Sequence, residues 1–266
     1  MEKIEFREKA IYYKAEGNGQ ALVLLHGFLE SSAIWDHFAS VLSKSYKVVR
    51  IDLPGHGRTP VIDKTHTMEL MAESVKRVLD HLQISKCLMV GHSMGGYVTL
   101  EFARNYTEML KGMVLFHSHA ASDTEELKEN RRRLIEIVKL NKKGFVKQFI
   151  PDLFAEINLV KLQNEIEQLG ILADKTSALG IIAALQGMKE RSGKLDLLLN
   201  TEIPVLFIAG KEDLRIPVQN ILAQAILPRH SEVLVLADVG HMGFIEARDE
   251  TLRMISCFCH RILLED

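Results

Sequence analysis

The run KCLMVGHSMGGYVTLEFAR at residues 86–104 decides the fold, because it joins a strand pattern to a helix pattern through a serine between glycines. Residues 86–90 are mostly apolar on both faces, as in a strand whose sheet is covered by helices on each side. Residues 97–104 follow with a helical pattern. The glycines permit a sharp turn that lifts the Ser93 hydroxyl above the end of the strand. Ser93 is therefore the candidate nucleophile.

Strand and helix patterns alternate on both sides of this run. Further strands are predicted at residues 11–15, 21–25, 46–53, 113–117, 204–209 and 232–236. Further helices are predicted at residues 32–42, 67–82, 218–227 and 243–264. Alternation of this kind implies parallel strands joined by right-handed crossovers. The sequence therefore predicts an α/β fold with a mostly parallel sheet flanked by helices.

Residues 120–199 interrupt the alternation. Helical patterns such as 127–140 and 159–172 occur there without a convincing strand. The sheet segments on either side are each too small to bury their faces alone, so they belong together. We predict one α/β core formed by residues 1–119 and 200–266, with a helical insertion at 120–199.

A serine hydroxyl becomes a strong nucleophile only when a histidine takes its proton and an acid orients that histidine. His241 follows the last predicted strand, so it lies at the edge where catalytic groups of parallel sheets gather. Asp213 follows the strand at 204–209 and is the predicted acid. Glu212 and Asp238 are the alternatives for that role.

Acyl transfer also needs hydrogen-bond donors for the oxyanion that develops on the substrate. One predicted donor is the backbone N–H of Met94, directly after the nucleophile. The other is the N–H of Phe28, in the loop after the strand at 21–25, where Gly27 permits a close approach to the serine. His26 is then a structural residue of this loop.

These motifs together resemble the α/β-hydrolase family over nearly the whole chain. The matching pieces lie at residues 26–28, 52–57, 91–96, 210–213 and 240–241. The order Ser93, Asp213, His241 is the order of that family. The resemblance implies that the insertion at 120–199 is a lid or cap, and that residues 52–57 are structural. The single Gly27, where the family's lipases carry His-Gly-Gly-Gly, argues against a lipase.

The predicted function is a serine hydrolase that cleaves a small carboxylic ester through an acyl-enzyme, with no cofactor and no metal. Phe28, His117 and His119 are candidate substrate contacts; otherwise the two histidines are turn residues that anchor the lid. A carbon–carbon bond hydrolase, lactonase, perhydrolase or lyase remains an alternative, because fold alone does not fix the chemistry. A different class of protein is also an alternative: a ligand receptor that retains Ser93, Asp213 and His241.

The balance of charged side chains indicates which kind of partner the protein binds. The 33 basic and 35 acidic side chains leave a formal charge of −2, which favours a small-molecule substrate over nucleic acid or an anionic membrane. The basic run at residues 131–133 lies near Glu125, Glu126 and Glu129 and predicts a solvated helix face. The sequence carries no signal of oligomeric state.

The three cysteines, Cys87, Cys257 and Cys259, have the spacing of neither a disulfide framework nor a zinc site. Residues 1–9 lack the apolar region of a secretory signal, and no stretch has the 18 or so apolar residues of a membrane span. We therefore expect a cytoplasmic location.

Overall fold

A computed structural model describes residues 1–264, and an eight-stranded sheet forms its centre. The strands are β1 (Glu2–Phe6), β2 (Lys9–Glu16), β3 (Ala21–Leu25), β4 (Lys47–Ile51), β5 (Cys87–His92), β6 (Leu110–Phe116), β7 (Val205–Gly210) and β8 (Ser231–Leu236). Their order across the sheet is β1-β2-β4-β3-β5-β6-β7-β8. The β1–β2 and β2–β4 pairs are antiparallel and the other five pairs are parallel. The predicted α/β class with a mostly parallel sheet is confirmed.

The two central strands place the loops that matter for function at one edge of the sheet. Every residue of β3 and β5 is buried, as expected for strands covered on both faces. The strands are parallel, and Leu25 at the end of β3 pairs with Gly91 near the end of β5. The loop that follows Leu25 and the turn that contains Ser93 therefore leave the sheet side by side.

Helices cover both faces of this sheet. They are α1 (Asp36–Leu42), α2 (Met68–His81), α3 (Met94–Asn105), α4 (Glu125–Phe149), α5 (Gln163–Asp174), α6 (Ala178–Glu190), α7 (Leu195–Asn200), α8 (Val218–Ala225), α9 (Gly243–Glu246) and α10 (Arg248–Leu264). α2 begins where the Thr67 hydroxyl accepts a hydrogen bond from the N–H of Leu70, which satisfies a donor of the first turn. Its apolar residues are buried along one face, as the helical period predicts.

Helices α4 to α7 all lie between β6 and β7. α4 bends at Asn141, whose side-chain oxygen accepts from the N–H of Gly144 at 2.9 Å and caps the next turn. α6 reaches the core, where the Ala183 carbonyl accepts from the N–H of His66 at 3.0 Å. A Cβ on Gly187 would lie 1.7 Å from the His66 carbonyl oxygen, so this close approach requires glycine.

Across residues 1–264, no single helix combines the length and hydropathy needed to cross a bilayer. α5 and α6 reach both values only when taken together, and the chain bends by 96° between them.

β1 and the C-terminal helix are among the elements that differ from the sequence-based expectation. β1 was not predicted, because only Ile4 of this edge strand is buried and one apolar side chain makes no alternating pattern. The predicted helix at 243–264 is divided into α9 and α10 by the non-helical Ala247. The Glu246 carboxylate accepts from the N–H groups of Gly240 and Met242, so it ties α9 to the loop that contains His241.

Candidate active site

Ser93 lies at the turn between β5 and α3, with a backbone φ of 49° and ψ of −113°. Few residues other than glycine adopt a positive φ, so the turn holds this serine in a strained conformation. A Cβ on Gly91 would lie 2.3 Å from the Gly95 carbonyl, and one on Gly95 would lie 2.6 Å from the Leu25 carbonyl. The two glycines of the motif are thus required by close backbone approaches, as the pattern indicates.

The structure brings Ser93, His241 and Asp213 together. The Ser93 Oγ lies 2.8 Å from Nε2 of His241, and the Nδ1 of His241 lies 2.8 Å from Oδ2 of Asp213. Neutral His241 with its proton on Nδ1 donates to Asp213 and accepts from the serine hydroxyl. This is the arrangement in which a serine can lose its proton to a histidine.

Asp213 is held by four donors. Its Oδ1 accepts from the N–H groups of Arg215 and Ile216 at 2.8 and 3.0 Å, and its Oδ2 is shared by His241 and by Nδ1 of His117 at 3.1 Å. Burial alone would raise the pKa of Asp213, but the two histidines outweigh it and hold the pKa well below its usual range. Asp213 is therefore anionic. The alternative acids, Glu212 and Asp238, are both exposed, and neither has a contact with His241.

His117 and His119 do not line the cavity in front of Ser93, contrary to the expectation that they contact substrate. His117 directly follows β6 and is fully buried. Its Nδ1 donates a hydrogen bond to Oδ2 of Asp213. Its pKa is lowered to about 4, because burial disfavours the charged ring. His119 packs edge-on against Tyr97, and its Nδ1 accepts from the N–H of Ala121.

The nitrogen and oxygen atoms of His117, Asp213 and His241 all lie within 4.8 Å of one another, which is a spacing that could ligate a metal ion. The same atoms form the hydrogen bonds between these three side chains. A metal ligated through these Nδ1 atoms would replace the contact that orients His241.

Phe28 lines the cavity in front of Ser93, and Met94 directly follows Ser93 at the start of α3. Within residues 1–264, neither the N–H of Phe28 nor that of Met94 takes part in a backbone or side-chain hydrogen bond of the turns and loops. The N–H of Met94 is also at the first turn of α3, where the helix dipole favours negative charge. His26 is structural: it donates to the Gly27 carbonyl at 2.7 Å and accepts from the N–H of Leu53 at 3.0 Å.

The run at residues 52–57 supports the loops around the site. The Asp52 carboxylate accepts from the N–H groups of Ser32 and Arg58, both at 2.8 Å. His56 is buried and donates to the Pro54 carbonyl, and burial lowers its pKa to about 3. These contacts are with the backbone of neighbouring loops, which is the structural arrangement that the resemblance implies.

A buried pair that the sequence analysis did not single out lies beside the triad. Nδ1 of His92 is 3.1 Å from Oε2 of Glu30, and Nε2 of His92 is 3.0 Å from the backbone carbonyl of His241. Both ring nitrogens face acceptors, so both must carry protons. Burial would lower the pKa of His92, but the Glu30 carboxylate outweighs burial and raises it. Glu30 also accepts from the N–H of Gly27. The only sequence signal for this pair was an acidic residue, Glu30, three positions after Gly27.

A cavity of about 210 Å³ opens in front of Ser93. Its walls are mostly apolar, and the insertion contributes Leu127, Leu134, Phe149, Leu185 and Met188. Arg131 also faces the cavity, so the expectation that residues 131–133 form a solvated face is wrong for this residue. Arg132 and Arg133 are exposed, but Arg131 bonds to the buried Asp123, which draws its side chain inward.

Comparison with known proteins places this site in a family. Residues 20–157 match the model of the alpha/beta hydrolase fold family. The thermophilic esterase from Thermogutta terrifontis, solved with malate bound, is 31% identical with a TM-score of 0.92, over 96% of this chain and 94% of that one.

Two curated relatives match over most of the chain. The dihydrolipoyllysine-residue acetyltransferase component of the acetoin cleaving system from Pseudomonas putida is 28% identical over 91% of this chain and 64% of that protein. The chain thus spans less than two thirds of that relative. The 2-hydroxy-6-oxo-6-(2'-aminophenyl)hexa-2,4-dienoic acid hydrolase from Metapseudomonas resinovorans is 24% identical over 94% of this chain and 87% of that protein. The family match and the 31% identity to the solved esterase show that the chain belongs to the alpha/beta hydrolase fold family.

Proposed function

We propose that the protein is a serine hydrolase of small carboxylic esters. The observation that carries this proposal is the pair of 2.8 Å contacts that joins Ser93, His241 and Asp213 in one line. The likeness to a solved esterase supports the ester as the substrate class. The name of the Metapseudomonas relative keeps carbon–carbon bond cleavage as the alternative reaction.

In the proposed reaction, Ser93 Oγ attacks the ester carbonyl while Nε2 of His241 takes its proton. The N–H groups of Phe28 and Met94 bind the oxyanion, and Asp213 stabilises the imidazolium. His241 then gives the proton to the departing alcohol, which leaves an acyl group on Ser93. Water, activated by the same histidine, hydrolyses the acyl-enzyme and restores the hydroxyl.

We further propose that residues 120–199 act as a cap over the core formed by residues 1–119 and 200–266. Residues of this segment form much of the wall opposite Ser93. The cavity of about 210 Å³ is smaller than the roughly 300–1,000 Å³ of pockets that hold drug-sized ligands. A cavity of this size favours short acyl and alcohol groups over long chains.

A fluorophosphonate probe tests the nucleophile without knowledge of the substrate. We expect labelling at Ser93, a burst of product from p-nitrophenyl acetate, and loss of both in Ser93→Ala. Ser40→Ala is a matched control, because the Ser40 hydroxyl bonds to the His37 carbonyl on the surface. Undiminished ester turnover by purified Ser93→Ala would refute the proposal, as would labelling of a different serine. A ligand receptor would show no turnover of any ester.

A further inference from the structure

We propose that the substrate carries a carboxylate in addition to its ester, and that Arg215 and Arg131 bind this carboxylate inside the cavity. The substrate class is then the half-esters of short dicarboxylic acids. This proposal rests on the proposed ester hydrolysis and adds the charge of the substrate to it.

Arg215 is held at the wall of the cavity by the loop that contains Asp213. Its backbone N–H bonds to Asp213, and its guanidinium lies 4.5 Å from the ring centre of Phe149. Phe149 in turn contacts Phe28 edge-on, with ring centres 5.7 Å apart. Phe28 supplies one of the predicted oxyanion donors. The guanidinium is therefore one aromatic ring away from the oxyanion loop.

The Arg215 guanidinium has no strong acceptor in the described part of the chain. Its nearest carboxylate is that of Asp152, at 3.7 Å, which is beyond hydrogen-bond distance and 60% exposed. Only 33% of the Arg215 side chain is exposed, so the guanidinium is partly withdrawn from bulk water. A half-buried guanidinium without a hydrogen-bonded carboxylate is well suited to bind a carboxylate ligand through two parallel hydrogen bonds.

Arg131 adds a second positive group on the cap side of the cavity. It bonds to Asp123, but the same carboxylate also bonds to Arg191, whose side chain is almost fully buried. One carboxylate therefore faces two guanidinium groups, and one positive charge remains. Nη1 of Arg131 contacts the thioether of Met188 at 3.6 Å, and a thioether is a weak acceptor. This nitrogen also has capacity for an anion.

The acidic groups at the cavity have other hydrogen-bond partners. Glu30 faces the cavity, but it is paired with His92. Asp213 is anionic, and its carboxylate accepts from His117, His241 and two backbone N–H groups rather than from a guanidinium. The hydrogen-bond donors at the cavity wall therefore belong to Arg215 and Arg131. A neutral ester would use these donors poorly, whereas an anionic substrate would use both the donors and their charge.

The test compares two esters of equal size, monoethyl glutarate and ethyl glutaramate, in which a neutral carboxamide replaces the carboxylate. Titration of the released acid at pH 7.5 gives kcat/KM for each. We expect the wild-type protein to prefer the anionic ester by about 10- to 100-fold, the range for hydrogen bonds to charged groups. In Arg215→Gln the ratio of the two kcat/KM values should fall to near one, and in Arg131→Gln it should fall several-fold.

Arg132→Gln is the matched control, because it removes the same charge from the next position of α4 but from an exposed side chain. Its ratio should equal that of the wild type. If Arg131→Gln fails to fold, Arg131→Lys, which keeps the charge, is expected to retain much of the preference. A wild-type ratio near one, or a ratio unchanged in Arg215→Gln, overturns the proposal.

The two proposals fail in different ways. If Ser93→Ala abolishes turnover of both esters while the wild-type ratio is near one, ester hydrolysis stands and carboxylate recognition falls. If neither ester is cleaved, calorimetry with glutarate decides the second proposal. Glutarate should bind to the wild-type protein and bind at least about tenfold more weakly to Arg215→Gln. Equal binding to both proteins, or none to the wild type, overturns it.

Discussion

Replacing Glu30 with alanine tests the buried pair that this side chain forms with His92. Glu30 is only 2% exposed and bonds both to the His92 ring and to the N–H of Gly27. Its removal leaves the His92 imidazolium without its counter-charge and the Gly27 N–H without its acceptor. His92 also bonds to the His241 carbonyl, so the loss reaches both the oxyanion loop and the loop of the base.

The expected loss in the free energy of unfolding is about 3–5 kcal/mol, the usual cost of removing one partner from a buried ion pair. This corresponds to a fall of about 5–9 °C in the melting temperature for a chain of this length. A wholly lost oxyanion donor lowers kcat by about 100- to 1000-fold. The N–H of Phe28 is misplaced rather than removed, so we expect a smaller drop in kcat, roughly 10- to 100-fold.

Urea unfolding at pH 7.5 measures the first effect, and steady-state hydrolysis of p-nitrophenyl acetate measures the second. Glu129→Ala is the control, because Glu129 is half-exposed and pairs with Arg132 and Arg133 on the surface. Its unfolding free energy should change by less than about 1 kcal/mol. A Glu30→Ala protein as stable and active as this control would refute the importance of the buried pair.

Asp213→Asn should lower kcat by about 1000- to 10,000-fold in steady-state ester hydrolysis, because an amide stabilises neither the correct tautomer nor the imidazolium; a loss under tenfold would contradict the triad. Four histidines have pKa values of about 4 or below in the folded protein: His56, His66, His117 and His119. An unfolded chain therefore binds more protons than the folded protein between about pH 4 and 6.5. The free energy of unfolding should therefore decrease as the pH is lowered through that window, by about 2 kcal/mol at pH 5 for each fully buried histidine. Urea unfolding at pH 7.5 and 5 measures this, and equal stabilities would contradict it. Gly187→Ala should destabilise by at least about 2 kcal/mol, since its Cβ would meet the His66 carbonyl. Gly170→Ala, with open space around the new methyl group, should stabilise by about 0.5–1 kcal/mol, and calorimetric melting of both variants checks the opposite signs.

The parts of the fold that sequence predicts well are those with strong local signals. β3 and β5 are buried on both faces, so their apolar runs are continuous. β1 gives no such signal, because only Ile4 is buried and pairing with β2 supplies the rest of its stability. The bend in α4 at Asn141 depends on a side-chain cap, and the helix therefore continues to Phe149 rather than ending near residue 140.

The candidate site likewise contains residues that a local sequence pattern predicts and residues that it does not. Ser93, Asp213 and His241 each follow a predicted strand, so parallel pairing alone brings them to one edge. The Glu30–His92 pair and the Asp123–Arg131 contact depend on how loops and the helices α4 to α7 pack, which no local pattern encodes. His117 faces Asp213 because its backbone has a φ of 46° directly after β6. Composition and spacing do not predict such a conformation for a histidine.

The position of α4 to α7 between two neighbouring strands of the sheet has a consequence for the order of folding. β6 and β7 pair through Met113 and Val205, so a loop of roughly 90 residues must close first, at an entropic cost of about 4 kcal/mol. Ser93 precedes this loop, whereas Asp213 and His241 follow it. A chain that has assembled only its first six strands therefore has a serine without its base. During refolding, the return of fluorophosphonate reactivity reports the closure of this loop and not the formation of the earlier strands.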